Sequence, residues 1–302
     1  MFSGRSGAAR LSILVVISLI VLKVVVGIIT GSLSVLAQAI DSLLDLFAVS
    51  ITFMAIRVAS RPADEGHPFG HGKAENVAAI VQAVLIFFAG GSIIYAAVRR
   101  IQTEAVLEMT EAGMIVMAVS IAASIFLSRY LLKIARREDS MALEANAHNI
   151  AADVYSAAAV FVALLVVRFT DITIIDPILA GLVALYIFKV AFDVLRKSFG
   201  GLVDVRLPED EENAIRAAIS EHFGEEVVSF HKLRTRKAGS QRHIDLHLVM
   251  PKHLSIEEAH NMCDHLEEDI ESRWPDTEVI IHVEPCDDNC EECSLACKDR
   301  KS

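Results

Sequence analysis

The chain has 302 residues, of which 53% are hydrophobic, and its formal net charge is −11. Its mean hydropathy is +0.46, whereas soluble globular chains have a negative average, so this composition excludes an ordinary soluble protein. The acidic balance argues against nucleic acid as a partner. Residues 1–200 carry long apolar runs and residues 204–302 carry most of the acids, so the sequence predicts a membrane part followed by a soluble part.

Six apolar stretches are long enough to cross a bilayer, which requires about 20 residues in a helix. They are Leu11–Thr30, Leu33–Ile56, Asn76–Val98, Ala112–Leu132, Met141–Val167 and Ile174–Leu195. The first stretch is too long for the core of a signal peptide, and no small-residue cleavage site closes it. It is therefore predicted to be a retained first span.

Lysine and arginine are distributed unequally between the two sides that these six spans define. One side would hold only Arg99, Arg100 and Arg168. The other would hold most of the remainder, namely Arg5, Arg10, Arg57, Arg61, Lys73, Arg129, Lys133, Arg136, Arg137, Arg196 and Lys197. Because cytoplasmic loops carry the excess of positive charge, both termini are predicted to face the cytoplasm.

After Pro208 the pattern becomes that of a small α+β domain. Proline and acids open the first helix, a Gly-Ser turn separates two strands, and Ser255 with Glu258 has the spacing of a capping box. The predicted order is helix, strand, strand, helix, strand, over Glu209–Phe223, Val227–Arg236, His243–Met250, Ser255–Arg273 and Glu278–Val283. The fold class is an α-helical membrane protein with a cytoplasmic α+β domain. The predicted divisions are a transport domain over 1–204, a metal-binding and dimerisation domain over 205–286, and a tail over 287–302.

Four of the five cysteines crowd the C-terminal end, as Cys286, Cys290, Cys293 and Cys297. Such a cluster indicates metal binding or redox chemistry on the reducing side of the membrane rather than a disulfide framework. Four thiols are enough for a tetrahedral zinc site or a cluster, but the spacing matches no established template. Metal capture and an unstructured, reduced tail remain two alternatives.

Asp41 and Asp45 lie in the middle of the second span, four residues apart, so both carboxylates occupy one helix face. A charged side chain near the bilayer centre costs about 3 kcal/mol on insertion scales, and two neighbouring anions also repel each other. A polar pair that only packs helices would be formed more cheaply by serine or asparagine. The two aspartates are therefore predicted to be functional.

The fifth span carries a complementary pair, Asn149 and Asp153, which are also four residues apart. Together with Asp41 and Asp45 they would form an oxygen-rich site for a divalent cation. Oxygen ligands favour manganese or iron, whereas imidazole favours zinc. An interhelical hydrogen bond is the alternative role for Asn149. His148 points about 100° away in a regular helix, and whether it joins the site stays open.

Several motifs resemble the cation diffusion facilitator family, in particular its bacterial zinc/iron efflux branch. The matching segments are Asp41-Ser-Leu-Leu-Asp45, Arg61-Pro-Ala-Asp-Glu-Gly-His-Pro-Phe-Gly-His-Gly-Lys-Ala-Glu75, His231-Lys-Leu-Arg-Thr-Arg236 and Ile280-Ile-His-Val-Glu-Pro-Cys286. The resemblance runs from about residue 9 to residue 286. It implies a homodimer with six spans and a ferredoxin-like, metallochaperone-like cytoplasmic domain, which exchanges a divalent metal for protons.

The resemblance also implies three metal sites. The transport site would be the quartet Asp41, Asp45, Asn149 and Asp153, in which Asn149 stands where zinc transporters usually carry histidine and some manganese-transporting relatives carry asparagine. A second site would be in the loop at Asp64, His67 and His71, whose histidines could alternatively only form hydrogen bonds. A binuclear site across the dimer interface would use His231, His247, His260, His282 and Glu284, with Glu284 in place of the usual aspartate.

The resulting hypothesis is a proton-coupled antiporter that exports Zn²⁺, Fe²⁺ or Mn²⁺ across a prokaryotic inner membrane. These ions would be both substrate and regulatory ligand, and the partners would be a second copy of the chain, lipid, metal ions and protons. One alternative is a membrane-anchored metal sensor with a passive helix bundle. An intramembrane metalloprotease is disfavoured because no helix carries His-Glu-x-x-His or its inverse, and no enzyme activity is expected.

Overall fold

A computed structural model describes residues 4–30, 33–103, 111–170, 175–223, 227–274 and 276–286. The chain divides into two compact units, Met1–Leu202 and Val203–Ser302. The first unit contains the long apolar helices and the second contains the mixed α/β segment.

The first unit is a bundle of long helices. Their bounds are α1 Arg5–Thr30, α2 Leu33–Ala59, α3 Ala74–Thr103, α4 Glu111–Arg137, α5 Met141–Thr170 and α6 Ile175–Leu202. Among the described residues, five of these helices, all except α5, are long and apolar enough to cross a membrane. Large apolar side chains such as Phe88 and Phe126 lie exposed on the bundle surface, as expected where a helix faces lipid.

Most of these helices are longer than the apolar stretches that predicted them. α1 begins at Arg5 rather than Leu11, and α6 continues to Leu202 rather than ending at Leu195. Hydropathy marks the part of a helix that suits hydrocarbon, but charged residues such as Arg196 and Lys197 continue the same helix beyond it. The six predicted spans thus correspond to six helices, and in the described residues all but α5 are long and apolar enough to cross a membrane.

Buried polar side chains join helices inside the bundle. Gln82 on α3 donates to the carbonyl oxygen of Ala48 at 2.7 Å and to Thr52 Oγ1 at 3.0 Å, both on α2. Asn76, at the start of α3, donates to the carbonyl oxygen of Ser198 on α6 at 3.2 Å. Hydrogen bonds of this kind stabilise helix contacts in a medium that offers no water. They tie α3 to both α2 and α6.

The second unit has the predicted order of elements. These are α7 Glu209–Glu221, β1 Ser229–Ala238, β2 Gln241–Met250, α8 Ile256–Arg273 and β3 Thr277–Pro285. The strand order is β1-β2-β3, with β1 antiparallel and β3 parallel to β2. The parallel pair follows from the crossover through α8. The fold class predicted from the sequence is confirmed.

One face of this sheet is packed against the helices. Ile244, Leu246 and Leu248 are buried on β2, and Leu266 and Ile270 are buried on α8 in the same core. The residues that alternate with them on β2, including His247, point to the opposite face. Capping fixes the start of α8, because Ser255 accepts from the backbone of Glu258 and Glu258 accepts from the backbone of Ser255. The predicted capping box is confirmed.

Candidate metal sites

The intramembrane pairs lie on two helices that pack against each other, α2 and α5. Asp45 is half-buried, Asn149 is 8% exposed and Asp153 is exposed. The side chain of Asp41 lies outside the described residues, although its position on α2 is one turn before Asp45. Asn149 and Asp153 are likewise one turn apart on α5, so each helix presents its pair along one face.

The loop between α2 and α3 brings Asp64, His67 and His71 together, with one ligand atom of each within 4.8 Å of the others. His67 Nδ1 lies 3.1 Å from Asp64 Oδ1, and His71 Nε2 lies 3.3 Å from Asp64 Oδ2. Two ligands of a tetrahedral zinc ion, each about 2.0–2.1 Å from the metal, are about 3.3 Å apart. The spacing of this group therefore fits a small cation.

Backbone geometry holds the loop group in place. Asp64 and His67 exchange backbone hydrogen bonds, and Asp64 Oδ1 also accepts from the backbone N–H of His67 at 2.8 Å. Gly70 has a positive φ of 74°, and its N–H donates to the carbonyl oxygen of His67. This turn returns the chain so that His71 reaches the same carboxylate. A hydrogen bond from the His67 ring lowers the pKa of Asp64, which keeps the carboxylate ionised.

The second histidine group is a row across the sheet of the cytoplasmic unit. His231 on β1 is the register partner of His247 on β2, and His247 is the register partner of His282 on β3. The ring centroids are 5.3 Å apart for His231 and His247, and 4.6 Å apart for His247 and His282. Because the three positions are in register, all three imidazoles lie on the face opposite the core.

Glu284, two residues after His282, completes this group. Its Oε2 lies 3.1 Å from His231 Nε2, and its Oε1 lies 2.7 Å from His247 Nδ1. His282 Nε2 is farther away, at 3.9 Å from Oε1. The hydrogen bond from His247 lowers the pKa of Glu284, with help from the nearby His231 and Lys232 charges. One ligand atom each of His231, His247 and Glu284 lies within a 4.8 Å cluster that can hold a metal ion.

Some predicted residues lie elsewhere. His260 is exposed on α8, 3.4 Å from Asp264, and does not join the His231, His247 and Glu284 group. His148 lines a cavity of about 250 Å³ between α5 and α6, together with Glu144 and Asp193. Cys286 is described, but Cys290, Cys293 and Cys297 lie outside the described residues. The roles predicted for these residues stay predictions.

Glu75 is a buried acid whose structural role the sequence did not predict. Glu75, at the start of α3, has no exposed side-chain area and pairs with Arg5 of α1 at 3.2 Å. It also accepts hydrogen bonds from the Ser140 hydroxyl and the backbone N–H of Ala142, at the beginning of α5. A carboxylate there satisfies one of the N–H groups of the first turn of α5, which have no partner within the helix. In the sequence Glu75 only ends the matching motif, directly before the predicted span, and this position does not reveal a partner helix.

Comparison with known proteins identifies the class of these two units. Residues 9–203 match the model of the cation efflux transmembrane domain, and residues 207–286 match that of the cytoplasmic domain of cation efflux proteins. The helices, the two histidine groups and these matches define a multi-pass membrane transporter for cations rather than an enzyme. The chain belongs to the cation diffusion facilitator family.

Relatives from bacteria align along almost the whole chain. The cation-efflux pump FieF of Shewanella oneidensis is 33% identical over 278 residues, covering 92% of this chain and 93% of the relative. FieF of Cronobacter sakazakii is 32% identical over 281 residues, covering 93% of each. A solved structure of a candidate zinc transporter, CzrB, is 37% identical and covers 27% of this chain and 99% of its own, with a TM-score of 0.26.

Proposed function

We propose that this transporter exports a divalent transition-metal ion, Zn²⁺, Fe²⁺ or Mn²⁺, from the cytoplasm of a bacterium in exchange for protons. The ion would pass through Asp41, Asp45, Asn149 and Asp153. The observation that carries the proposal is the pair of acidic helix faces on α2 and α5, two helices that pack against each other in the bundle. Carboxylates in a membrane-spanning segment are costly, which supports a role in an ion pathway.

Proton coupling follows from the same chemistry. Carboxylates close to one another resist simultaneous ionisation when no metal is present, so they bind protons more readily. A divalent cation and protons then compete for the same oxygen atoms. Binding of one releases the other, and a transmembrane proton gradient supplies the driving force for export. In this proposal the protein works as a homodimer in the inner membrane, with both termini in the cytoplasm.

The histidine groups would act on this cycle from outside the bilayer. The loop group at Asp64, His67 and His71 would bind metal at the membrane surface. The group at His231, His247 and Glu284 would bind cytoplasmic metal, with His282 and His260 contributing to a site shared by the two protomers of a dimer. Metal at the cytoplasmic group would favour the transporting conformation, because a ligand shifts an equilibrium toward the state that it binds more tightly.

The cytoplasmic group also favours a second candidate function, a metal sensor whose helix bundle is passive. Its His231–Glu284 and His247–Glu284 distances suit metal binding without any need for transport. A sensor would bind metal at the cytoplasmic unit and move none across the membrane.

Proteoliposomes separate these functions. With an acidic lumen and metal added outside, the antiporter should take up metal while the lumen becomes more alkaline, and a proton ionophore should abolish uptake. Metal uptake with no change in luminal pH would contradict antiport. Metal binding without any uptake would support the sensor.

A further inference from the structure

α1 carries a lysine in the middle of its apolar stretch. Lys23 is half-buried, seven residues before the end of α1 at Thr30, and it has no place in the proposed quartet. An ammonium group at this depth is as costly as a carboxylate, so it is expected to face protein charges rather than lipid. Its contacts therefore bear on how the intramembrane site is built.

The ammonium group reaches α2 beside the quartet. Lys23 Nζ donates to Ser42 Oγ at 2.7 Å, and Ser42 is only 4% exposed. Ser42 follows Asp41 directly and precedes Asp45 by three residues, which is one turn of the same helix. A positive charge is thus fixed at the segment of α2 that carries both predicted ligands.

The close approach of α1 and α2 near this contact is built into the sequence. Gly27 lies one turn after Lys23, and a Cβ atom there would lie 2.7 Å from the Leu36 side chain and 3.3 Å from its backbone nitrogen. Only glycine allows the two helices to approach so closely here. The neighbouring turn of α1 is thereby held against α2.

We propose that Lys23 is the built-in counter-ion of the transport site and sets its charge. Asp41, Asp45 and Asp153 together contribute three negative charges when ionised, and Lys23 contributes one positive charge. The site then presents a net charge of −2, which matches a divalent cation. The inference rests on the proposed function, because it takes those three aspartates as the transport site.

Lys23 would weaken metal binding while making it reversible. A fixed cation repels an incoming metal ion, and charges a few Å apart change equilibrium constants by well over tenfold even at an effective dielectric constant of about 20. Without Lys23 the site would be more negative by one charge. It would bind metal more tightly and release it more slowly.

The test measures metal affinity at the transport site alone. In the full-length protein, H67A, H71A and H247A first remove ligands of the other two groups, and C286S, C290S, C293S and C297S remove the thiols of the C-terminal cluster. In this background, calorimetry then measures the binding of Zn²⁺ and of Mn²⁺ to the protein that keeps Lys23 and to its K23Q, K23R and D45A variants. K189Q, which removes the lysine within the span of α6, is the matched control.

We expect K23Q to bind both metals at least about tenfold more tightly and to release them more slowly, while K23R and K189Q keep the original affinity. Unchanged or weaker binding in K23Q overturns the inference, as does equal tightening in K23R, because the effect would then not depend on charge. If K23Q does not fold, S42A replaces it. S42A removes the hydroxyl that accepts the hydrogen bond from Lys23, so it should also tighten metal binding. An unchanged affinity overturns the inference.

D45A separates the two hypotheses. If D45A loses the remaining metal binding but K23Q has the same affinity as the protein that keeps Lys23, only the counter-ion role fails. If D45A retains full binding, the proposed transport site itself fails, and the counter-ion role fails with it.

Discussion

The cytoplasmic histidine row makes the sharpest quantitative prediction, through replacement of His247 by alanine. His247 is the middle imidazole of the row and lies 2.7 Å from Glu284, so it contributes one of three clustered ligands. Structural zinc sites bind with about 10–16 kcal/mol shared among four ligands, so one ligand contributes about 3 kcal/mol. His247→Ala is therefore expected to weaken zinc binding about 100-fold or more.

Weaker zinc binding reduces the amount by which zinc raises the Tm of the cytoplasmic unit. At a zinc concentration of about 100 times Kd, binding stabilises a fold by about 2.7 kcal/mol, and a 100-fold weaker site leaves about 0.4 kcal/mol. For a domain of about 80 residues, 1 kcal/mol shifts Tm by about 4–8 °C. The zinc-induced shift should thus fall from more than about 10 °C to about 2–3 °C.

Calorimetry of residues 203–286, which contain the core of this unit and leave out three of the four clustered cysteines, gives this shift with and without zinc. His253→Ala is the matched control, because His253 is an exposed histidine of the same unit and belongs to neither described group. His260→Ala tests whether that residue contributes in a dimer. A full zinc-induced shift in His247→Ala would refute the assignment of this site.

Three further predictions concern other parts of the chain. His71→Ala should weaken metal binding at the loop group about 100-fold, as measured by calorimetry in protein whose cytoplasmic group is removed by H247A. An unchanged affinity would show that the loop histidines only form hydrogen bonds. Asn149→His should raise the ratio of zinc flux to manganese flux in proteoliposomes, because imidazole suits zinc better than an amide oxygen does; an unchanged ratio would show that Asn149 does not set selectivity. Burial raises the pKa of the Cys263 thiol to about 11. Alkylation at pH 8 followed by mass spectrometry should therefore leave Cys263 unmodified and label the partly exposed Cys286. Rapid labelling of Cys263 would contradict its burial.

The fold was largely predictable because it depends on local patterns. Apolar length predicted the six helices, and the strand predicted over His243–Met250 carries Ile244, Leu246 and Leu248 at alternate positions, which are buried in β2. The capping residues Ser255 and Glu258 predicted the start of α8 to within one residue. The ends of the helices in the bundle were less predictable, because hydropathy does not indicate where a helix ends outside the hydrocarbon layer.

The candidate sites were predictable only in part. The resemblance grouped His231, His247 and His282, and the strand register that places them in a row is a property of the sheet rather than of their spacing in the sequence. The contacts of Lys23 with Ser42 and of Glu75 with Arg5 join residues from different helices. Such pairs depend on packing, which a single sequence does not reveal.

We propose that metal crosses the membrane along the acidic faces of α2 and α5. Metal flux into proteoliposomes under an imposed pH gradient tests it most directly, with Asp45→Asn compared with the wild type and with Asp193→Asn. Asp193 is a carboxylate on α6, outside the proposed quartet, and so controls for loss of a membrane-embedded charge. We predict that Asp45→Asn reduces flux to the level of empty liposomes while Asp193→Asn transports normally. Wild-type flux through Asp45→Asn would show that metal does not cross at the proposed quartet.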